Sequence, residues 1–408
     1  MLLRLSSRDS DTTDDVRPRV AFIVSHPIQY YVPLYQRLAQ RSDLSIKVFF
    51  TWHDASTAVL DPGFREHVVW DIPLTNGYDF ELVPNAASDP GMHHFFGLRN
   101  PLLVSRVLDW APSVVHITGW AWWSHLRSIK AFHDKKIPVL FRGDSHLLDR
   151  KTSGLVWRAK QMALRHIYRW PSAFLVTGQA NRAYYKAFGV EDRKLIPCPH
   201  SIDYHRFAEP DATYEDEAQR WRRSLGIEPD QTVLLFAGKF EPKKRPVEFM
   251  ESVEALRNPK VVAVMVGAGE QQNQIQKIAE QYPQSFRVLP FQNQRRMPIV
   301  YRLGDLFVLP SSTNETWGLA VNEALACKRP VLVSDKVGCA ADVVDETCGW
   351  VAPIDQLPAM VRQIVKDKGR LMEMRGAADT KAREFDIGKT EVALMGAIST
   401  VLRQTSHA

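Results

Sequence analysis

The sequence lacks the features of membrane-spanning, disulfide-bonded and zinc-binding proteins. No segment of its 408 residues approaches the ~20 uninterrupted apolar residues that a transmembrane helix requires. Its four cysteines form no CxxC pair and have no regular spacing, which argues against a disulfide framework and against a zinc site. With 45% hydrophobic and 24% charged residues, the composition predicts a globular cytoplasmic protein.

Acidic residues are absent from one long stretch of the chain. Residues 150–190 contain eight Lys or Arg and no Asp or Glu, which exceeds the net charge of +6 of the whole chain. At ~100° per helical residue, four of these cations fall within roughly 40° of one another: Lys151, Arg158, Arg165 and Arg169. Leu155 and Met162 lie beside them, so the pattern predicts either a helix that rests on an anionic membrane surface or a solvated helix whose charges pair with acids elsewhere.

Short β-branched runs alternate with helix-like segments, which predicts two doubly wound α/β domains of Rossmann-like type. The predicted organisation is a loose leader at 1–18, an N-terminal domain at 19–205, a polar linker at 206–231, a second domain at 232–385 and a C-terminal helix at 386–408 that crosses back to the first domain. The predicted strands are 20–25, 45–50, 114–118, 139–143, 173–178 and 194–199 in the first domain, and 232–238, 261–267, 286–291, 306–310, 330–334 and 349–353 in the second. Ligands bind such sheets outside the carboxyl ends of the strands, so the main site is expected in the cleft between the domains.

The segment PSSTNETWGLAVNEALA, residues 310–326, sets Glu315 and Glu323 eight positions apart. A strand that ends near Pro310 and a helix that begins near Trp317 or Gly318 would place free backbone N–H groups between the two carboxylates, which makes an anion site. An elongated ligand with a central diphosphate, such as a nucleotide-sugar, would then meet one carboxylate on either side. The alternative is a capping box formed by Ser312 and Glu315, with Glu323 an ordinary solvated helix residue.

Two further segments carry positive charge and glycine at predicted strand ends. In FAGKFEPKKRP, residues 236–246, Gly238 and Lys239 end a strand, and Lys243 and Lys244 follow. Cations at this position point into the cleft and could neutralise a diphosphate, although a solvated basic turn has the same composition. In VMVGAGEQ, residues 264–271, a glycine-rich turn follows the next strand, which by itself is a weak signal.

Together, GKFEPKKR, MVGAGE and PSSTNETWGLAVNEALA resemble the diphosphate segment, the V-G-x-G turn and the E-x7-E motif of family 4 glycosyltransferases, the glycosyl transferases group 1. The resemblance covers roughly residues 19–390 and is stronger in the second domain than in the first. It implies a GT-B fold and a retaining, metal-independent hexosyl transfer from a nucleotide-sugar to a glycan or lipid-linked hydroxyl acceptor. A role in polysaccharide, lipopolysaccharide or glycolipid synthesis is expected, and the basic stretch at 150–190 predicts a peripheral place on the cytoplasmic membrane face.

The resemblance assigns roles to individual residues. The catalytic residues it implies are Glu315, Lys239 and Lys244. The implied donor-binding residues are Gly238, Gly267, Glu270, Phe291, Trp317, Gly318, Leu319 and Glu323. The loops SHPIQYY and FRGDSH offer candidates for the acceptor side, each of which could instead be a loop-packing residue: His26, Gln29, Tyr30, Arg142, Asp144 and His146.

The sequence departs from the family pattern at several points. Lys239 stands where the family has Arg, and Lys328 and Cys339 stand where it has glycines. No DxD-like cluster is suited to hold Mg²⁺ beside a diphosphate, so no metal and no other cofactor is expected. The tryptophans of GWAWW, residues 119–123, could form an acceptor platform or pack in the interior.

The sequence is also compatible with other functions. A nucleotide-sugar epimerase or a phosphorylase could use the same fold. A basic nucleic-acid-binding protein would need stacking aromatics and a recognised binding motif; a few aromatics accompany the basic stretch, but no RRM, KH or helix-turn-helix signature does. We therefore expect no nucleic-acid partner. The base and sugar of the donor, the acceptor and the oligomeric state do not follow from the sequence.

Overall fold

The first half of the chain forms a parallel sheet with an added hairpin. The computed structural model describes residues 17–53, 59–61, 63–148 and 154–406. The first nine strands are β1 (Arg19–Val24), β2 (Ser45–Phe50), β3 (Val59–Asp61), β4 (Glu66–Val68), β5 (Phe80–Leu82), β6 (Val114–Thr118), β7 (Val139–Arg142), β8 (Ala173–Val176) and β9 (Leu195–Pro197). Seven of them form a parallel sheet in the order β5-β2-β1-β6-β7-β8-β9, while β3 and β4 pair as a separate antiparallel hairpin.

Helices cover both faces of this first sheet. They are α1 (Val32–Ala39), α2 (Leu103–Asp109), α3 (Trp123–Asp134), α4 (Leu155–Ile167) and α5 (Gln179–Ala187). Successive residues of β1 point to opposite layers, so Phe22 packs in the cluster that contains Tyr35, and Ile23 packs in the cluster that contains Phe132. Burial on both faces explains why the strands read as continuous apolar runs rather than as alternating ones.

The second half of the chain repeats this architecture. Its six parallel strands have the order β12-β11-β10-β13-β14-β15; they are β10 (Thr232–Ala237), β11 (Val261–Val266), β12 (Phe286–Leu289), β13 (Leu306–Leu309), β14 (Val331–Ser334) and β15 (Gly349–Ala352). The helices that precede and accompany this sheet are α6 (Tyr204–Ala208), α7 (Asp211–Ser224), α8 (Pro246–Glu254), α9 (Gln272–Gln281), α10 (Met297–Arg302), α11 (Leu319–Ala326), α12 (Ala340–Val343), α13 (Leu357–Ile364), α14 (Lys368–Glu373) and α15 (Arg375–Glu384). The structure thus confirms two doubly wound α/β domains, and the twelve predicted strands end within two residues of the observed ones.

The segment that joins the two sheets is largely helical. Residues 206–231, predicted as a linker, contain the end of α6 and all of α7. Arg222 of α7 donates two hydrogen bonds to Asp305 at 3.1 and 2.9 Å, and both side chains are buried. The polar composition that suggested a linker therefore belongs to a helix that is fastened to the second domain by a buried ion pair.

The last helix returns to the first domain. Helix α16 (Ile387–Ser406) packs on α1 and buries Leu394 and Val401 in the core of the first sheet. Its Glu391 accepts hydrogen bonds from Arg37 at 2.7 Å and Arg41 at 2.9 Å. Two segments thus connect the domains at one side of the cleft. Within the described residues, no helix is long and apolar enough to cross a bilayer.

Candidate active site in the interdomain cleft

A cavity of about 680 Å³ lies in the cleft and is lined by both domains. Its walls include the loops that follow β1, β10 and β13 and the residues that end β11, which are all at carboxyl ends of strands. Twelve of the residues that the sequence singled out line it: His26, Gln29, Tyr30, Gly238, Lys239, Lys244, Gly267, Phe291, Glu315, Gly318, Leu319 and Glu323. Residues separated by almost 300 positions in the chain therefore meet in one cavity.

Lys244 and Glu315 form an ion pair inside the cavity. The Lys244 Nζ atom lies 2.6 Å from Glu315 Oε2, and Ser311 Oγ donates to the same oxygen at 2.9 Å. Burial would raise the pKa of Glu315, but the charge and hydrogen bond of Lys244 outweigh it and lower that pKa. Glu315 is therefore an ionised hydrogen-bond acceptor at neutral pH. Lys243 points elsewhere and pairs with Glu241 at 2.9 Å.

Glu323 has a different environment from Glu315. It is half-buried on α11, and the hydroxyl of Tyr301 donates to its Oε2 atom at 2.5 Å. Burial raises the pKa of Glu323, and the Tyr301 hydrogen bond and the charge of Arg206 only partly oppose this effect. Two carboxylates eight positions apart thus have pKa values displaced in opposite directions, because only Glu315 has a lysine in direct contact.

Gly318 shapes the entrance of α11. It precedes the helix at φ +92°, and a Cβ atom there would meet Val337 Cγ1 at 2.9 Å and Leu309 Cδ2 at 3.1 Å. The helix begins at Leu319, and the Ser312 hydroxyl donates to the Lys243 carbonyl instead of capping it. The capping-box alternative is therefore wrong, because the helix starts too far along the chain for Ser312 to reach its first turn. Gly318 and Leu319, at the start of α11, line the cavity, and the first N–H groups of a helix have no partner within the helix itself.

Lys239 pairs with a residue that the sequence did not suggest. Its Nζ atom lies 2.7 and 2.9 Å from the two carboxylate oxygens of Asp61 in the β3–β4 hairpin of the first domain. Phe64 of the same hairpin contacts Phe291 with ring centroids 4.6 Å apart. The hairpin thus lies against one predicted catalytic residue, Lys239, and one predicted donor-binding residue, Phe291. Its strands have only three residues each and no apolar alternation, so no sequence pattern identified it.

The loop after β1 forms the other side of the cavity. Burial and the neighbouring His53 lower the pKa of His26 to about 4, so its imidazole is neutral at pH 7. The Ser25 hydroxyl lies 2.9 Å from His26 Nδ1 and fixes the orientation of the ring. Tyr30 packs beside it against Tyr31 and His200, and burial raises the pKa of Tyr30, which keeps its phenol protonated.

Five predicted site residues do not line the cavity. Trp317 lies in the core of the second domain, where its indole N–H donates to Asn322 at 3.0 Å. Glu270 is exposed, and Arg65 is 3.9 Å from it. The other three are Arg142, Asp144 and His146. The tryptophans of residues 119–123 also lie outside the cavity lining, and Trp122 donates instead to the Met92 carbonyl at 3.1 Å.

Arg142 and Asp144 belong to a buried polar cluster behind Tyr30. Asp144 lies 3.1 Å from His200 Nε2, and Arg142 donates to the Cys198 carbonyl at 3.1 Å. Burial would raise the pKa of Asp144, but the charges and hydrogen bond of His200 and Arg142 lower it to about 2. This cluster holds the acceptor-side loops in place rather than facing the cavity.

His146 connects the two domains at the loop that carries Glu315. Its Nδ1 atom accepts from the Leu148 N–H, which leaves Nε2 protonated to donate to the Glu315 carbonyl at 3.3 Å. The backbone that carries Glu315 is thus fixed partly by the first domain. Arg206 of α6 was also missed by the sequence; it lines the cavity and donates to Gln294 at 2.8 Å, while its buried Nε has no partner among the described residues.

One described group of side chains has the arrangement of a metal site. Ligand atoms of Asp89, His93 and His94 lie within 4.8 Å of one another at the surface. None of these three residues lines the cavity, and neither Glu315 nor Glu323 belongs to the group.

The second domain of the chain matches a known family model. Residues 217–385 match the family model described as glycosyl transferases group 1. The D-inositol 3-phosphate glycosyltransferase of Saccharomonospora viridis is 31% identical over 191 residues, which are 43% of this chain and 44% of that protein. The protein of the same name from Actinosynnema mirum is 30% identical over 227 residues, 52% of each chain. The chain thus spans about half the length of these relatives.

Solved structures resemble the whole chain. HepE of Anabaena, in complex with UDP and glucose, has a TM-score of 0.67 at 16% identity and covers 94% of this chain with 100% of its own. Sucrose-phosphate synthase of Thermosynechococcus elongatus has a TM-score of 0.69 at 16% identity, with 95% and 100% covered. The chain has the GT-B fold. The predicted GT-B arrangement, two Rossmann-like domains that face each other across a cleft, is thereby confirmed.

Proposed function

We propose that the protein is a retaining glycosyltransferase of family 4 that moves a hexosyl group from a nucleotide diphosphate donor to a hydroxyl acceptor. The observation that carries the proposal is the convergence of Lys239, Lys244, Glu315 and the start of α11 on one cavity. Two lysines and free backbone N–H groups suit a diphosphate, and a buried ionised carboxylate beside them suits the hydroxyl groups of the sugar. Glu323 lies further along the same helix and suits the ribose.

In the proposed reaction the bond between the anomeric carbon and the donor phosphate breaks. The acceptor oxygen bonds to that carbon on the same face, and its proton passes to the departing phosphate oxygen. Lys239, Lys244 and the N–H groups at the start of α11 stabilise the charge that grows on the leaving group. These groups supply the electrostatic stabilisation that a metal ion would otherwise provide, so we propose that the reaction needs none.

The donor can be identified by a thermal-shift screen of UDP-, GDP-, ADP- and dTDP-sugars. A specific ligand raises the melting temperature in proportion to its occupancy. HepE was solved with UDP-glucose, so UDP-sugars are the first donors to test. The absence of a shift with all four nucleotide classes would contradict the proposal.

The two glutamates provide the mechanistic test. Glu315→Gln removes the charge next to the reacting sugar and should mainly lower kcat, whereas Glu323→Gln should mainly raise the KM for the donor. Equal and small effects of both substitutions would contradict these roles. Release of an epimerised nucleotide-sugar, or phosphate-dependent cleavage of a glycan, would instead favour an epimerase or a phosphorylase.

We also propose that α4 docks on the anionic cytoplasmic face of a membrane, near a lipid-linked acceptor. Leu155, Val156 and Met162 are 83%, 85% and 71% exposed, although they are apolar. Arg158 and Arg165 flank them, and no acid within the described residues pairs with either of these arginines. Exposed apolar residues beside unpaired cations suit the boundary between lipid headgroups and acyl chains. Arg169 follows the helix, while Lys151 lies outside the described residues.

Co-sedimentation with liposomes tests the docking. Binding to anionic liposomes should be lost in an Arg158→Glu, Arg165→Glu variant and reduced in a Leu155→Ser, Met162→Ser variant, because headgroup attraction and acyl burial both contribute. Both variants should keep donor binding, since α4 contributes no residue to the cavity. Wild-type protein that stays in the supernatant at low salt would contradict the proposal.

A further inference from the structure

The first domain contributes an unusual wall to the cavity. We call the cavity-lining residues between His26 and Met92 the acceptor wall; sixteen of them lie in the described part of the chain, and none of these is Lys or Arg. Half of the sixteen are Ile, Val, Leu, Met or Trp, and Val68, Val69, Trp70 and Ile72 lie within five consecutive positions. The one carboxylate among the sixteen, Asp61, is already paired with Lys239.

His26 does not supply a positive charge to the acceptor wall. His26 is neutral at pH 7, because burial and His53 lower its pKa to about 4. The imidazole of His26 stacks on that of His53 with ring centroids 5.0 Å apart and meets Trp52 edge-on at 5.4 Å. These three side chains thus form a continuous aromatic surface with hydrogen-bonding nitrogens at its edge.

The cations of the cavity all lie on the opposite side. Lys239, Lys244 and Arg206 come from the second domain and the helical junction, and both lysines contact carboxylates. The proposed donor diphosphate would occupy the lysines. A phosphate that the acceptor placed against the acceptor wall would then be desolvated by apolar and aromatic side chains with no Lys or Arg on that wall, which is unfavourable.

Resting on the proposed glycosyl transfer, we propose that the acceptor wall binds an uncharged saccharide, so that the sugar ring that receives the transferred group carries no phosphate. Trp52, Trp70 and the His26 ring offer flat apolar surfaces for the C–H faces of a sugar. Gln29, Thr75 and the Nε2 atom of His26 offer hydrogen bonds to its hydroxyl groups. This acceptor class differs from the phosphorylated inositol after which the relatives are named.

Ligands that share a ring and differ in whether they carry a phosphate test the charge preference. Ligand-observed NMR would compare methyl glucoside, methyl galactoside and myo-inositol with glucose 6-phosphate, galactose 6-phosphate and D-inositol 3-phosphate. The protein is first saturated with the nucleoside diphosphate from the donor screen, so that Lys239 and Lys244 are occupied. We expect each uncharged ligand to bind at least about tenfold more tightly than a phosphorylated counterpart.

A positive charge added to the acceptor wall should reduce this preference for uncharged ligands. Val69 is 63% exposed and lines the cavity, so it tolerates a longer side chain. Val69→Lys should bring the Kd of phosphorylated sugars to within about threefold of the Kd of the uncharged ones. Val69→Gln, which adds length without charge, should leave the preference for uncharged sugars unchanged. Trp52→Ala should weaken the binding of uncharged sugars without changing the affinity for nucleotide.

Two results would overturn the proposal: tighter binding of phosphorylated sugars by the wild-type protein, or no saturable binding of either class. Failure of the proposed function would look different. It would appear in the preceding nucleotide titration, which depends on Lys244 and not on Trp52 or Val69, the two residues of the acceptor wall that are substituted here.

Discussion

Replacing Asp61 by Asn should tighten the binding of nucleoside diphosphate. Asp61 and the donor diphosphate compete for Lys239 in the proposed function, because the Asp61 carboxylate already holds the Lys239 Nζ atom at 2.7 and 2.9 Å. Asn keeps the acceptor oxygen that receives the Gly63 and Phe64 N–H groups, so the hairpin turn should survive the substitution. The charge is then the main difference between the two side chains.

The size of the effect follows from the geometry of the ion pair. Opposite charges 2.7 Å apart attract by about 6 kcal/mol at an effective dielectric constant of about 20. Hydration of the separated charges offsets most of this, since Lys239 and Asp61 are 30% and 24% exposed, which leaves about 1 to 2 kcal/mol net. Removing the competing charge should therefore tighten UDP binding by about 5- to 30-fold.

Isothermal titration of UDP into wild-type and Asp61→Asn protein measures this change. Asp71→Asn is the matched control: Asp71 also joins the first domain to the second, but it accepts from the Arg295 backbone N–H at 3.2 Å and pairs with no lysine. The gain should shrink at high ionic strength, because the pair is partly exposed. Unchanged or weaker UDP binding by Asp61→Asn would refute the idea that Asp61 and diphosphate share Lys239.

Three further predictions concern buried charges. Lys244→Ala should weaken nucleotide binding far more than Lys243→Ala, because only Lys244 faces the cavity; titration of both variants checks this, and an equal loss would contradict it. Burial raises the pKa of Glu323 in the folded state. The ionised Glu323 side chain therefore lowers the free energy of unfolding above its folded-state pKa, and this loss disappears as the pH falls to the pKa of Glu323 in the unfolded chain. Glu323→Gln should therefore melt at a higher temperature than wild type at pH 8 but not at pH 4, and a constant difference would exclude this coupling. Asp305→Ala should reduce the free energy of unfolding by about 3 to 5 kcal/mol, since it leaves the buried Arg222 guanidinium unpaired; a loss below about 1 kcal/mol in chemical denaturation would show that Arg222 finds water instead.

The parallel sheets were predictable because their signal is local. The central strands, such as TVLLFA and VVAVMV, are buried on both faces and so appear as uninterrupted apolar runs, whereas the short edge strand β5 (FEL) is only partly buried and was not predicted. The cavity residues on the second domain were predictable for a related reason. They occupy loops directly after those runs, and the topology of a doubly wound sheet places such loops at one edge.

Long-range contacts account for what the sequence did not predict. Asp61 meets Lys239 across 178 positions, and nothing in the neighbourhood of either residue specifies the other. Trp317 shows the opposite effect: it stands inside the most informative motif, yet its side chain turns into the core and donates to Asn322. A motif locates a loop, whereas packing decides which of its side chains face the ligand.

The two lysines of the cavity suggest how donor binding is coupled to the hairpin. Lys239 is neutralised by the first domain through Asp61, and Lys244 is neutralised by Glu315 within the second. A diphosphate that enters the cavity must therefore replace the Asp61 carboxylate at Lys239 and the Glu315 carboxylate at Lys244. Neither lysine is an unpaired positive charge before the diphosphate binds. In the proposed function, the carboxylate of Glu315 leaves Lys244 but remains in the cavity, where it binds the sugar. The carboxylate of Asp61, which leaves Lys239, belongs to the other domain. Donor binding should consequently loosen the contact between the hairpin and the second domain, and the return of Asp61 should favour release of the nucleotide product.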